Sequence, residues 1–322
     1  MWYWLLPYWG ILTVSDPLGV VTIARYISPA PFTTTGLVVQ GVKQCPETPT
    51  LNDTVEFSGH IWVQELPTGG QFRFTVAPSG FVTFATPDGS FDAAASVPVA
   101  FRRAANQVEA QLDRDALRAA TDAPEEITFC GIATRNEGVE YDWGAVPPFV
   151  GTDVWSEPHD QYFSPDAATG VFDRLGVPTL PAIEKEQLAA HTDLTRFDEP
   201  ADFPPSAWRD GPSAGVLIRD KSGGRAAAWS VEPGDTPPAS EQRSAAELAA
   251  SYATADRIEQ TVATMSGDGM SVTVDRIRER LVADVSREAY AELFTDGAFI
   301  ASLTDFESAV AERVQRHQSS AD

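Results

Sequence analysis

Lysine is nearly missing from this sequence. Of 23 basic residues among 322, only Lys43, Lys185 and Lys221 are lysine, against 46 aspartates and glutamates, for a formal net charge of −23. That balance excludes a broad basic face for nucleic acid, so any such contact must use a local arginine group. It also suits molar salt, where the Debye length shrinks to about 3 Å and carboxylates keep the surface hydrated. Cysteine is equally scarce, with Cys45 and Cys130 alone, which excludes a disulfide framework and a cysteine metal cage. The four histidines, His60, His159, His191 and His317, are scattered without a spacing such as HExxH, so a metal site built wholly of protein ligands is not expected. Long apolar runs are also wanting. Only the aromatic N-terminus approaches one, and Pro7, Gly10, Asp16 and Pro17 interrupt it. A spanning helix needs about 20 largely unbroken apolar residues. A signal peptide wants a charged start and a small-residue cleavage site. Neither fits, so a cytoplasmic protein without membrane contact is expected.

What is present is enough to fold. The chain is 43% hydrophobic and 10% aromatic, which supplies a large core and excludes wholesale disorder. At about 150 residues per domain, two domains are expected. Alternating patterns predict strands over 60–65, 71–77 and 81–84, with Pro78-Ser79-Gly80 turning the chain between the last two. Val97, Phe101, Ala104, Val108, Leu112 and Leu117 recur at helical spacing and predict one helix over 97–120. Short apolar strands follow at 127–130 and 149–155. A helix opens at Ser164, with proline at its second position and Gly176 as its stop. Residues 191–212 read as a connection rich in proline and aspartate, before a strand pair at 215–219 and 225–229 around a KSGG turn. Residues 232–242 read as a linker. Beyond it, helices are predicted over 244–265, 273–294 and 304–317. The expected fold class is therefore α+β, an antiparallel-sheet domain over 42–231 followed by a small helical domain over 243–318.

Five segments, in order, carry a resemblance. GHIWVQELPTGGQFRF (59–74), ITFCGIATRNEGVEYDW (127–143), PPFVGTDVW (147–155), VFDRLGV (171–177) and DGPSAGVLIRDKSGGRA (210–226) resemble the ATP-dependent RNA ligases, above all the RNA-ligase-domain proteins of halophilic archaea. The likeness runs from about Val42 through the helical tail. It implies the nucleotidyltransferase fold shared with DNA ligases and mRNA capping enzymes. In that family a lysine attacks the α-phosphate of ATP to give a lysyl-adenylate, with Mg²⁺ and basic groups on the triphosphate. Such a nucleophile needs a deprotonated amine, and the transfer needs positioned positive charge.

The family's motifs fall on residues that lack the required chemistry. Its Glu-Lys-x-Asp-Gly stretch aligns with Glu65-Leu66-Pro67-Thr68-Gly69, so Leu66 stands for the nucleophile and Thr68 for its acidic partner. Its Phe-x-Gly-Glu aligns with Phe129-Cys130-Gly131-Ile132, placing Ile132 where a carboxylate meets the ribose. Thr152 replaces the aromatic expected against the adenine. Ala214 replaces the glutamate that helps hold metal, and Ala227 the lysine of the strand after the second Gly-Gly turn. The resemblance leaves Gly69, Gln71, Arg73, Thr152, Arg219 and Arg225 as candidate nucleotide or RNA contacts. The reading is thus an RNA-ligase-like pseudoenzyme, with no catalytic residue and no metal ligand expected. ATP and Mg²⁺ would be cofactors only if the family's activity persisted, and RNA or an active ligase are the candidate partners.

Two alternatives stand beside it. One is an active RNA ligase using a displaced lysine, for which Lys221 is the rescue candidate. The other is a structural or regulatory module without a nucleotide role. Arg102, Arg103, Arg114 and Arg118, read as sharing one helix, either line a phosphate groove with Arg73, Arg219 and Arg225 or pair with neighbouring acids. Trp62, Trp143, Trp155 and Trp208 are expected in the core. The relatives begin near the position of Val42-Lys43-Gln44, so residues 1–41 are expected to be absent from the natural product or a poorly ordered extension. Oligomeric state has no signal in the sequence.

Overall fold

The computed structural model describes residues 42–52, 55–231, 233 and 243–321, all within one compact unit. The expectations for residues 1–41, and for the 232–242 linker apart from Pro233, fall outside the described residues.

Strand β1 (His60–Leu66) is buried along almost its whole length because sheet partners and packed layers surround it. It is followed by β2 (Gly69–Val76), β3 (Val82–Thr86) and β4 (Gly89–Phe91). The helices α1 (Arg102–Gln111) and α2 (Arg114–Ala120) come next, then β5 (Ile127–Thr134), β6 (Phe149–Ser156), β7 (Gln161–Tyr162) and α3 (Pro165–Arg174). The strands β8 (Ala182–Leu188), β9 (Gly215–Asp220) and β10 (Arg225–Trp229) complete this part. Two antiparallel sheets result, one ordered β4-β3-β2-β5-β6-β7 and the other β10-β9-β1-β8.

Period-two alternation gives each sheet two different faces. In the six-stranded sheet Phe72, Phe74, Phe84, Phe129 and Phe149 point to a core shared with α1, α2 and α3. The Phe74 and Phe129 rings stack at 4.8 Å. Arg73, Cys130 and Asp153 lie across from one another on β2, β5 and β6. In β6 the register shifts, with Cys130 opposite Asp153 and Gly131 opposite Gly151, so Thr152 is the extra residue of a bulge. The bulge reverses the alternation, keeping Val154 in the aromatic core and Asp153 on the inter-sheet side. Gly151 has no room for a side chain, since a Cβ there would sit 2.6 Å from the Phe172 ring.

The α+β class expected from the sequence is the one observed, but several elements differ. The predicted 97–120 helix is two, because Asp113 leaves the helical path. Its N–H donates to the Leu175 carbonyl at 3.0 Å, and its carboxylate accepts from the N–H groups of Asp115 and Ala116 at 3.0 and 2.8 Å. That is an N-cap, which starts α2 afresh. Consequently the four arginines do not share one helix. Arg102 pairs with Glu307 and Arg103 with Asp284, whereas Arg114 donates to the Gly80 carbonyl and Arg118 pairs with Asp115. The strand β8 has no forecast because, at a sheet edge with mostly exposed residues, it carries little hydrophobic pattern.

The C-terminal helices are α4 (Ala245–Tyr252), α5 (Ala255–Gly267), α6 (Val274–Glu288), α7 (Tyr290–Leu293) and α8 (Leu303–Ala321). The predicted 244–265 helix breaks where Thr254 caps α5, accepting from the Arg257 N–H at 3.3 Å. The 273–294 helix ends at Glu288, and Ala289 separates α6 from the short α7. These helices bury Leu248, Ile258, Ile277, Leu281, Phe306 and Val310 together, and Val99 from the sheet region joins them. Arg287 fastens α6 to the β5–β6 loop, donating to the Val146 carbonyl at 2.6 Å and to Thr134 Oγ1 at 2.9 Å.

Candidate functional site

Leu66 ends β1 opposite Gly215, and the chain turns at once through Pro67 and Thr68 into β2. Gly69 makes that turn possible, because a Cβ there would lie 2.3 Å from the Ala133 carbonyl oxygen. Thr68 is wholly buried, with its hydroxyl donating to the Arg135 carbonyl at 2.8 Å and its N–H to the Tyr141 hydroxyl at 3.0 Å. Ala214 leads into β9, and Ala227 stands in β10 opposite Leu217. Ile132 lies across from Gln71 between β5 and β2.

These positions, far apart in the chain, meet between the two sheets. Leu66, Ala214, Leu217 and Ala227 join Val150, Tyr141 and Trp208 in one hydrophobic cluster, with Ile132, Trp143 and Trp229 packed against it. Leu66 is 6% exposed, Ala227 5% and Ala214 0%, so the space is filled by side chains. Burying an aliphatic residue of leucine size contributes about 1.5–3 kcal/mol. The cluster is therefore a source of stability in its own right.

The connection before β9 closes it from one side. Glu65 accepts a hydrogen bond from the Ser206 hydroxyl at 2.5 Å and one from the Ala207 N–H at 2.7 Å, and the Trp208 carbonyl accepts from the Asp142 N–H at 2.8 Å. The indole is thereby held over the cluster. Burial pushes the Glu65 carboxyl up from its ordinary range, against the pull of the Ser206 and Ala207 hydrogen bonds and of Arg209. Burial likewise raises the Tyr141 phenol.

Beside the apolar cluster lies a charged one. Asp153 accepts from Arg219 at 3.1 Å and from Arg225 at 3.0 and 3.2 Å. Arg219 also donates to the Thr152 carbonyl at 2.6 Å and to Gln64 Oε1 at 3.1 Å, and Arg225 to Thr48 Oγ1 at 2.9 Å. Burial alone would raise the Asp153 carboxyl, but the two guanidiniums outweigh it and hold it below its usual range. Burial lowers Arg219, although Asp153 opposes that shift. The group ties β6 of one sheet to β9 and β10 of the other.

Of the candidate contacts, Thr152, Arg219 and Arg225 therefore come together at Asp153. Gly69 and Gln71 sit on β2 at the edge of the apolar cluster, Gln71 exposed. Arg73 is buried and turned to the entry segment, donating to Gln44 Oε1 at 2.7 Å and to the Thr86 carbonyl at 3.2 Å. Lys221 occupies the β9–β10 turn, half exposed, 2.8 Å from Glu186 and 3.6 Å from Asp166. The hydrogen bond to Glu186 raises its amine. Lys43 lies 3.8 Å over the Trp155 ring and Lys185 4.8 Å over that of Trp62. Trp62, Trp155 and Trp208 are buried, as expected, and Trp143 is half-buried. Tyr141, Gln64 and Ser206 had no motif to announce them, because each acts through a partner distant in sequence.

Mg²⁺ asks for hard oxygen donors in near-octahedral array. Leu66, Ile132, Ala214 and Ala227 provide none, and the neighbouring carboxylates of Glu65 and Asp153 are already engaged. Among the described residues no group of three or more histidine, cysteine, aspartate or glutamate side chains stands together to hold an ion. The residues at these positions do not fit ATP with its metal.

Protein-family models and curated protein sequences offer no match to this chain. Solved structures do. An archaeal ATP-dependent RNA ligase, form 1, is 14% identical with a TM-score of 0.43, over 87% of this chain and 67% of that one. Form 2 is also 14% identical, with a TM-score of 0.42 over 85% of this chain and 66% of that one. A Naegleria gruberi RNA ligase with PPi is 12% identical, with a TM-score of 0.43 over 66% of this chain and 63% of that one. The chain thus spans about two thirds of the length of these ligases.

Proposed function

We propose that this chain is an RNA-ligase-like protein of the covalent nucleotidyltransferase type that no longer adenylates itself. Its remaining capacity is weak binding of nucleotide or RNA, or partnership with an active ligase. One observation carries the reading. The positions that the motif resemblance assigns to nucleophile, ribose contact, metal ligand and phosphate contact gather around one cluster between the sheets, and all are aliphatic there. The gathering supports the motif correspondence, and the side chains argue against the chemistry. Leucine has no lone pair, isoleucine and alanine bind neither ribose nor metal, and alanine cannot neutralise a phosphate.

A displaced lysine is the rival account, and Lys221 is poorly suited to it. Strand β9 separates it from Leu66 by about 20 Å, taking about 3.4 Å per residue. Its amine is held protonated by Glu186, where a nucleophile needs a free lone pair. The acidity and the scarcity of lysine favour a salt-adapted cytoplasmic protein, of the kind made by halophilic archaea. Among the described residues no helix is long and apolar enough to cross a membrane.

The pure protein should be incubated with α-labelled ATP and Mg²⁺ in molar salt, then denatured. No label is expected to stay on the chain. Retained label that vanishes in Lys221→Ala would overturn the proposal in favour of an active ligase. Titrations with ATP and with RNA then divide a residual binder from a regulatory module, since the latter gives no signal with either.

A further inference from the structure

We propose that Cys45 and Cys130 form a reversible intramolecular disulfide that pins the entry segment, residues 43–50, across the inter-sheet face. The proposal is independent of the nucleotide chemistry. The segment is already laid along this face by contacts on both sides of Cys45. Ahead of it, the Lys43 N–H donates to Thr128 Oγ1 at 3.3 Å, Gln44 Oε1 accepts from Arg73, and the Gln44 carbonyl accepts from the Tyr162 hydroxyl. Behind it, Thr48 accepts from Arg225, the Pro49 carbonyl accepts from the Ala227 N–H at 2.9 Å, and the Leu51 N–H donates to the Ala227 carbonyl at 2.7 Å. Cys45 is thus delivered over β5, where Cys130 stands opposite Arg73 on one side and Asp153 on the other. Cys45 follows Gln44, which is held by the Arg73 side chain opposite Cys130. It lies two residues beyond Lys43, which is held at Thr128, two residues before Cys130. Both thiols are free. They are the chain's only cysteines, so no internal pairing competes.

Their environments differ in a way that sets the order of events. Cys130 is fully buried, and burial, with Cys45 and Asp153 adding to it, pushes its thiol well up despite Arg73. A buried thiol of that kind does not start an exchange, since the thiolate is the nucleophile. Cys45 is half-buried and is the point of entry. Its thiolate attacks one sulfur of a low-molecular-weight disulfide such as oxidised glutathione, giving a mixed disulfide and releasing one small thiol. Cys130 then loses its proton, and its thiolate attacks Cys45 Sγ, expelling the second small thiol. In balance, two protein thiols and one small disulfide give one protein disulfide and two small thiols. The product ties the entry segment to the six-stranded sheet, over the Asp153, Arg219 and Arg225 group.

The full chain, reduced and desalted, should be incubated with oxidised glutathione in molar potassium chloride. Acid quenching, alkylation of remaining thiols and digestion without reductant then give the peptide map. The expected result is a monomer whose map contains one cross-linked peptide joining Cys45 to Cys130, with slower hydrogen exchange over residues 43–51 than in the reduced protein. In Cys45→Ser, Cys130 should remain an unmodified thiol while the protein stays folded, as read by circular dichroism. Glutathione retained on Cys45 beside an unpaired Cys130, or cross-links only between two chains, would overturn the proposal.

Discussion

Asp153 joins the two sheets through Arg219 and Arg225. Paired twice in a buried setting, it holds its charge against desolvation, and its carboxyl in the folded protein lies below the ordinary range. A depressed carboxyl stabilises the fold above its unfolded value, near 3.9, and that contribution is lost as pH falls through the folded value. Wild-type stability in urea should therefore drop across the acid range, and Asp153→Asn should flatten that limb. At neutral pH the same substitution leaves two buried guanidiniums without a counter-charge, and a loss of about 3–5 kcal/mol is expected from urea midpoints. Leu66 poses the complementary case. Leu66→Ala should cost about 2–5 kcal/mol, as for other core truncations. Leu66→Lys should also destabilise and should not restore adenylation, because Ile132, Ala214 and Ala227 remain aliphatic around it. That these positions are apolar could be read from the sequence. That Trp208 covers them could not, since the contact joins a proline-rich connection to a strand far away in the chain.

At the scale of elements, β1 and β2, read from alternation, and β9, read from the strand pair around the KSGG turn, are close to where the sequence puts them. The failures have local causes. Asp113 interrupts a run of apolar residues at helical spacing, and only the cap hydrogen bonds to Asp115 and Ala116 reveal that a second helix begins there. Asp113→Ala should lower stability by about 1 kcal/mol, a fall in melting temperature of about 1.5 °C at this chain length. The bulge at Thr152 was equally hidden, although it decides which way Asp153 faces. Deletion of Thr152 removes the extra residue and leaves Asp153 opposite Cys130 on the inter-sheet side, so the fold should survive, seen as a retained cooperative thermal transition.

For the whole molecule, charge and lysine scarcity speak of the solvent more than of the fold. With a net charge of −23, self-repulsion is screened only at high ionic strength, so the melting temperature should rise steadily with potassium chloride. A melting temperature indifferent to salt would contradict the salt-adapted reading. The same scarcity bears on chemistry. Each lysine has a place, Lys43 over Trp155, Lys185 over Trp62 and Lys221 beside Glu186, and none stands in the cluster where a nucleophile would have to work. The sharpest measurement is the intact mass of the protein before and after incubation with ATP and Mg²⁺ in molar salt. An unchanged mass is expected; a stable increment of one adenylyl group on the folded chain would contradict the loss of self-adenylation.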